Sequence, residues 1–157
     1  MSENILVVDD DTEVRKTLST ILSQEGYSVE TVENGKQAAK ACEKSSFDVA
    51  LIDIRLPDME GTELLNWLKE KQPHMVKIVI TGFPTLESAM KTVNEGADGY
   101  ILKPLDVQKL LEMIRKHLDK KTAEHVRNWM EFDHDNARES RFNQDNYKRK
   151  SLWGGTQ

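Results

Sequence analysis

Apolar residues recur along the first 119 positions in two alternating rhythms. Short runs at Ile5–Val8, Tyr27–Val32, Phe47–Ile52, Val76–Ile80 and Gly99–Leu102 read as strands. Between them the spacing turns helical. Val14, Leu18, Ile21 and Leu22 share one face and stop at Gly26, and Asn34–Lys44 is an alanine-rich helix. Thr62–Glu70 carries Leu64, Leu65, Trp67 and Leu68 before Pro73, and a fourth helix takes Pro84 in its first turn and ends near Gly96. Asp106–Leu118 is a fifth, amphipathic helix. Strand and helix therefore alternate five times. Continuous apolar runs suit parallel strands covered on both faces, and right-handed crossovers then give an open, doubly wound α/β sheet.

Polar residues end these strands. Asp9 and Asp10 follow the first, Asp53 closes VALID, Thr81 closes IVIT and Lys103 follows YIL. In a parallel sheet they fall on the carboxyl edge, where such folds bind ligands at the switch in strand order. Singly each is ordinary, since an acid after a strand commonly caps the next helix. Together they are three carboxylates, a hydroxyl and an ammonium converging on a small volume. Two like charges about 4 Å apart repel by roughly 4 kcal/mol at an effective dielectric near 20. The run Asp9–Asp10–Asp11 thus needs either divergent side chains or a cation. Three carboxylates suit a hard divalent ion such as Mg²⁺, whose remaining ligands are waters and phosphate oxygens. A phosphoryl group would satisfy the metal, Lys103 and Thr81 together. One carboxylate can then act as nucleophile, and Asp53 is best placed, ending the expected central strand opposite the acidic pair. Asp11 has a plainer role beside Thr12 and Glu13, where either Asp11 or Thr12 can cap the first helix.

The motifs VVDDD, LIDIRLPDMEG, IVITGF and GADGYILKPLD, in this order and spacing, resemble the receiver domain of two-component response regulators. The resemblance covers roughly residues 3–119 and implies a flavodoxin-like sheet of strand order 2-1-3-4-5. It implies that Asp53 accepts a phosphoryl group from a sensor histidine kinase or phosphotransfer protein. Asp10 and Asp53 would ligate Mg²⁺ directly, with Asp9 helping through water and the backbone carbonyl of Arg55 completing the protein ligands; Mn²⁺ can take its place. Lys103 would pair with a phosphoryl oxygen, and the Lys103–Pro104 bond would be cis. Thr81 and Tyr100 would form the switch: the hydroxyl moves toward the phosphoryl group and the aromatic ring turns inward behind it. The surface so altered is the fourth helix, fifth strand and fifth helix, which would meet a protein target or a second copy. Arg55 and Phe83 lie two residues beyond Asp53 and Thr81, and bulky Phe83 is expected to hinder the hydrolytic water.

Charge divides the chain. Up to Asp119 the balance is −7, and from Lys120 onward it is +2. The expected organisation is a receiver domain over 1–121 and an extension over 122–157, helical to about residue 132 and disordered beyond Arg138, where polar residues dominate. Val126, Trp129 and Met130 share a face of that helix. The extension is too short for a common DNA-binding output domain. The basic run Lys148–Lys150 reads as solvated, and direct DNA binding is not expected. His117, His125 and His134 lack a metal-ligand spacing. No run is long and apolar enough for a membrane span, and MSEN lacks a signal core, so a cytoplasmic protein is expected. The lone Cys42 reads as a small, semi-buried apolar residue.

Two other readings compete. Haloacid-dehalogenase-like phosphatases also use a strand-end Asp, Mg²⁺, a hydroxyl and a lysine. Asp9 and Asp11 have their spacing, but Glu13 stands where Thr or Val is required, Arg55 follows Asp53, and no acidic pair comes after Lys103. A receiver-like module that binds partners without phosphorylation would not need Asp9, Asp10, Asp53, Thr81 and Lys103 all intact. The expected protein is therefore a phosphoacceptor and not a turnover enzyme.

Overall fold

The computed structural model describes residues 2–82 and 85–153, with Leu86 and the residues from 132 on described by backbone alone. Its elements run β1 (Asn4–Val8), α1 (Thr12–Gln24), β2 (Ser28–Val32), α2 (Gly35–Lys44), β3 (Val49–Asp53), α3 (Gly61–Lys71), β4 (Val76–Thr81), α4 (Leu86–Asn94), β5 (Gly99–Leu102) and α5 (Val107–Trp153). The strands form one parallel sheet in the order β2-β1-β3-β4-β5. Strand order therefore reverses between β1 and β3.

The strand period of two sorts the core into two layers. Leu6 and Val8 face one way with Ala50, Ile52 and Val79, packing on Ala38 and Ala41 of α2 and Leu64, Leu65 and Leu68 of α3. Ile5 and Val7 face the other way with Leu51, Ile78 and Ile80, against Leu18 and Leu22 of α1 and Leu110 and Ile114 of α5. Leu65 has no exposed surface, and truncating it to alanine would cost about 2–5 kcal/mol.

Local signals start the helices. Asp11 caps α1, accepting the N–H groups of Glu13 at 2.9 Å and Val14 at 3.3 Å, so of the two candidates it is Asp11 that caps. Asn34 caps α2 through Gln37, and Thr85 caps α4 through Ser88. Pro84, expected in the first turn of α4, lies outside the described residues, as does Phe83. Gly26 and Gly96, both left-handed, follow α1 and α4.

The fifth helix departs from expectation. It was expected to end at Leu118 or about residue 132, with disorder beyond Arg138; the backbone is helical through Trp153. No glycine or proline occurs from Leu105 to Trp153, and the next breakers in the sequence are Gly154 and Gly155. Polarity alone did not end the helix. By its contacts the chain divides into Met1–Leu118 and Asp119–Gln157. Within the second unit Val126, Trp129 and Met130 are exposed.

Candidate functional site

Parallel register carries the strand-end residues to one edge. Val8 pairs with Ile52, Asp53 with Ile80, and Thr81 with Leu102, so Asp9, Asp10, Asp53, Thr81 and Lys103 all reach the same side of the sheet. Asp9, Asp10 and Asp53 each offer a carboxylate oxygen, and these lie within 4.8 Å of one another. Asp9 is buried and Asp53 is largely covered, while Asp10 is exposed.

Lys103 joins the buried pair. Its Nζ donates to Asp9 Oδ2 at 3.1 Å and to Asp53 Oδ2 at 3.3 Å. The remaining oxygens take backbone donors: Asp11 N–H reaches Asp9 Oδ1 at 2.9 Å, and Arg55 N–H reaches Asp53 Oδ1 at 3.2 Å. Lys103 is itself fixed by its N–H to the Thr81 carbonyl at 2.8 Å, and the Lys103–Pro104 peptide is cis. Arg15, which the sequence did not single out, donates to the Asp9 carbonyl at 2.7 Å and lies 3.5 Å from Glu33.

One ammonium is shared by the two buried acids, and it does not offset the desolvation of Asp53. Burial pushes its pKa up and the charge of Asp9 adds to this, against the opposing pull of Lys103 and the Arg55 N–H; the net direction is upward. For Lys103, burial pulls the pKa down, but the hydrogen bond to Asp9 and the charges of Asp53 and Asp9 outweigh it, and the ammonium is held above its usual range. The pocket thus keeps an excess of negative charge with oxygen donors converging, and such a donor set fits a hard divalent cation.

Thr81 is fully buried at the end of β4. Tyr100, on β5, is half-buried against the core layer that includes Val79, and its hydroxyl is the buried side-chain polar atom without a partner among the described residues. Leaving such a group unpaired costs about 1–3 kcal/mol. Arg55 is exposed and pairs with Glu60 in an isolated antiparallel bridge. Phe83, expected to shield the site, is outside the described residues. Cys42 is half-buried, and desolvation with the nearby charge of Glu30 pushes its thiol up to about 11, which leaves it protonated and unreactive.

Sequence reasoning missed Asp58. Its carboxylate accepts the N–H groups of Gly35 and Lys36, each at 2.9 Å, and so ties the loop after Asp53 to the start of α2. The only local signal is an acid following Pro57, because its partners lie more than 20 positions away.

The chain is similar to known proteins over its first three-quarters. The family model described as the response regulator receiver domain matches residues 5–115. The DNA-binding transcriptional regulator NtrC of Proteus hauseri is 35% identical over 113 residues, covering 72% of this chain and 24% of that protein. A cyclic di-GMP phosphodiesterase of Thermotoga maritima is 38% identical over 106 residues, covering 68% and 28%. The chain spans about a quarter of the length of these curated relatives. Among solved structures, a CheY-like receiver domain protein from Methanospirillum hungatei JF-1 superposes with a TM-score of 0.77 at 43% identity, covering 79% of this chain and 99% of that one. The beryllofluoride-activated NtrC4 receiver domain dimer gives a TM-score of 0.72 at 33% identity, covering 75% and 98%.

Proposed function

The chain belongs to the response regulator receiver family, and from that premise we propose that Asp53 accepts a phosphoryl group from a histidine kinase or phosphotransfer protein. Receiver domains are phosphoacceptor switches, and the phosphatase reading is not favoured. The observation that carries the proposal is the Lys103 bridge across Asp9 and Asp53, with Asp10 close enough to complete a three-carboxylate pocket.

In the transfer, a carboxylate oxygen of Asp53 forms a bond to phosphorus as the bond from phosphorus to the donor imidazole nitrogen breaks. The bonding electrons leave with the imidazole. Asp10, Asp53 and the Arg55 carbonyl would hold Mg²⁺ or Mn²⁺, with Asp9 helping through water. Such an ion, when bound, neutralises charge on the phosphoryl oxygens. Lys103 would move from its carboxylate partners to a phosphoryl oxygen, and the Thr81 hydroxyl would bond another. Tyr100 would fill the space behind Thr81, a role its buried, unpartnered hydroxyl supports. Any turnover would be limited to the chain's own phosphorylation and dephosphorylation.

The output surface in this reading is α4, β5 and α5, on which Met90, Val93 and Leu102 are exposed. It would bind a protein target or a second copy; the NtrC4 receiver relative is a dimer. Residues 1–121 would be the receiver and 122–157 an extension without DNA contact. Among the described residues no helix is long and apolar enough to cross a membrane, which agrees with a cytoplasmic setting.

The test is stoichiometry. With acetyl phosphate and Mg²⁺ the full chain should take up one hydroxylamine-labile phosphoryl group. Steady turnover of a general substrate such as p-nitrophenyl phosphate would instead establish a phosphatase.

A further inference from the structure

The loop from Asp53 to Gly61 is held from two sides. On the inner side, Gly61 N–H donates to the Ile54 carbonyl at 2.6 Å. A Cβ on Gly61 would stand 2.5 Å from the Asp53 carbonyl oxygen and 2.7 Å from the Ile54 Cα. Those are backbone atoms that cannot swing aside, so glycine lets α3 begin directly against the residue that carries the site. On the outer side, Asp58 Oδ1 accepts the Gly35 N–H and Oδ2 the Lys36 N–H. Gly35 also leaves room for the loop, because a Cβ there would overlap the Met59 side chain, which packs on the core.

Helix α2 has a cap of its own in Asn34, which accepts the Gln37 N–H at 2.9 Å. Asp58 is therefore an addition from a distant segment, and its two bonds join loop to helix. Its charge also lies at the positive end of the helix dipole. Slight desolvation pushes its pKa up, but the N–H groups of Gly35 and Lys36 outweigh that and hold the carboxyl below the usual range. Between Asp53 and Asp58 lies Arg55, whose N–H already bonds Asp53 Oδ1 and whose backbone bridges to Glu60.

We propose that Asp58 is a positioning residue for the divalent-cation site: by tying the loop to α2 it fixes the Arg55 backbone beside Asp53 and so sets cation affinity. The inference rests on the cation reading given above. It also extends that reading to a residue outside the pocket.

The experiment titrates the full chain with Mg²⁺ by calorimetry and measures thermal midpoints without divalent ions. It compares the native sequence with Asp58→Ala, Asp58→Asn and Asn34→Ala. Asp58→Ala frees the loop that carries the Arg55 backbone and should raise the Mg²⁺ Kd about 10-fold, the low end of what losing support around a metal site costs. Asp58→Asn keeps one acceptor oxygen and should raise it about 3-fold. Asn34→Ala should lower the midpoint at least as much as Asp58→Ala and leave Kd unchanged. An unchanged Kd in Asp58→Ala overturns the inference and reduces Asp58 to a second cap. A native chain that binds no Mg²⁺, or whose affinity survives Asp53→Asn combined with Asp10→Asn, overturns the cation reading as well. The two failures are thereby told apart.

Discussion

Asp53 ends β3 and Asp58 stands five positions further on in the loop that follows, and their surroundings push them in opposite directions. Asp53 is desolvated beside Asp9, and one shared ammonium with one backbone N–H does not restore its ordinary pKa. Asp58 is exposed and takes two backbone N–H groups at a helix start, which lower it. The residue type is the same; what differs is the source of the positive partner. Fixed backbone dipoles complete Asp58, and a completed carboxylate makes a permanent joint. The pocket around Asp53 is short of positive charge, which suits the proposed role, in which a cation and a phosphoryl group come and go.

The contrast can be broken first at its strong end. Lys103→Ala removes the one ammonium in contact with both buried acids and should slow labelling by acetyl phosphate and Mg²⁺ about 100-fold. A rate within a few-fold of the native chain would show that Lys103 is only a structural counter-ion.

Stability gives the next test, and its sign is informative. Asp53 titrates higher in the folded chain than in the unfolded one, so its ionised form opposes folding at neutral pH. That penalty begins to shrink as pH falls through the raised value and is gone below the ordinary carboxylate value. Asp53→Asn should therefore raise the thermal midpoint in the absence of divalent ions, and a gain of about 1 kcal/mol would read as roughly 4 °C. A lowered midpoint would mean that the Lys103 bridge more than compensates for burial.

The smallest effect belongs to Asp58. Its lowered pKa contributes stability above the ordinary carboxylate value, lost as pH falls through the lowered one. Because the group is exposed, Asp58→Ala should cost only about 0.5 kcal/mol at neutral pH. Denaturant titrations should show the native and variant chains converging in acid. A difference that persists there would assign the effect to packing instead of charge.

The sequence exposed most of the frame and the pocket because both follow from local pattern. Continuous apolar runs marked β1, β3 and β4, and the polar residue closing each run marked the edge where Asp53 and Thr81 stand. Family motifs supplied the strand order, which periodicity does not encode. Lys77, a charged residue inside the run Val76–Ile80, is buried, with its Nζ 2.9 Å from the Met75 carbonyl; a long aliphatic stem allows that. The backbone of α5 is helical beyond the expected residue 132, through a polar segment with no glycine or proline to break it. Asp58 escaped notice for a different reason: its meaning lies in two N–H groups of another segment, and only the folded chain brings them together.

The assignment of Asp53 as phosphoacceptor is tested most directly by peptide mapping. The native chain and Asp53→Asn are incubated with acetyl phosphate and Mg²⁺, digested, and weighed by mass spectrometry. One phosphoryl group on the peptide that contains Asp53, and none on the variant, is the expected result. Full labelling of Asp53→Asn, or a phosphoryl group found elsewhere in the native chain, would contradict it.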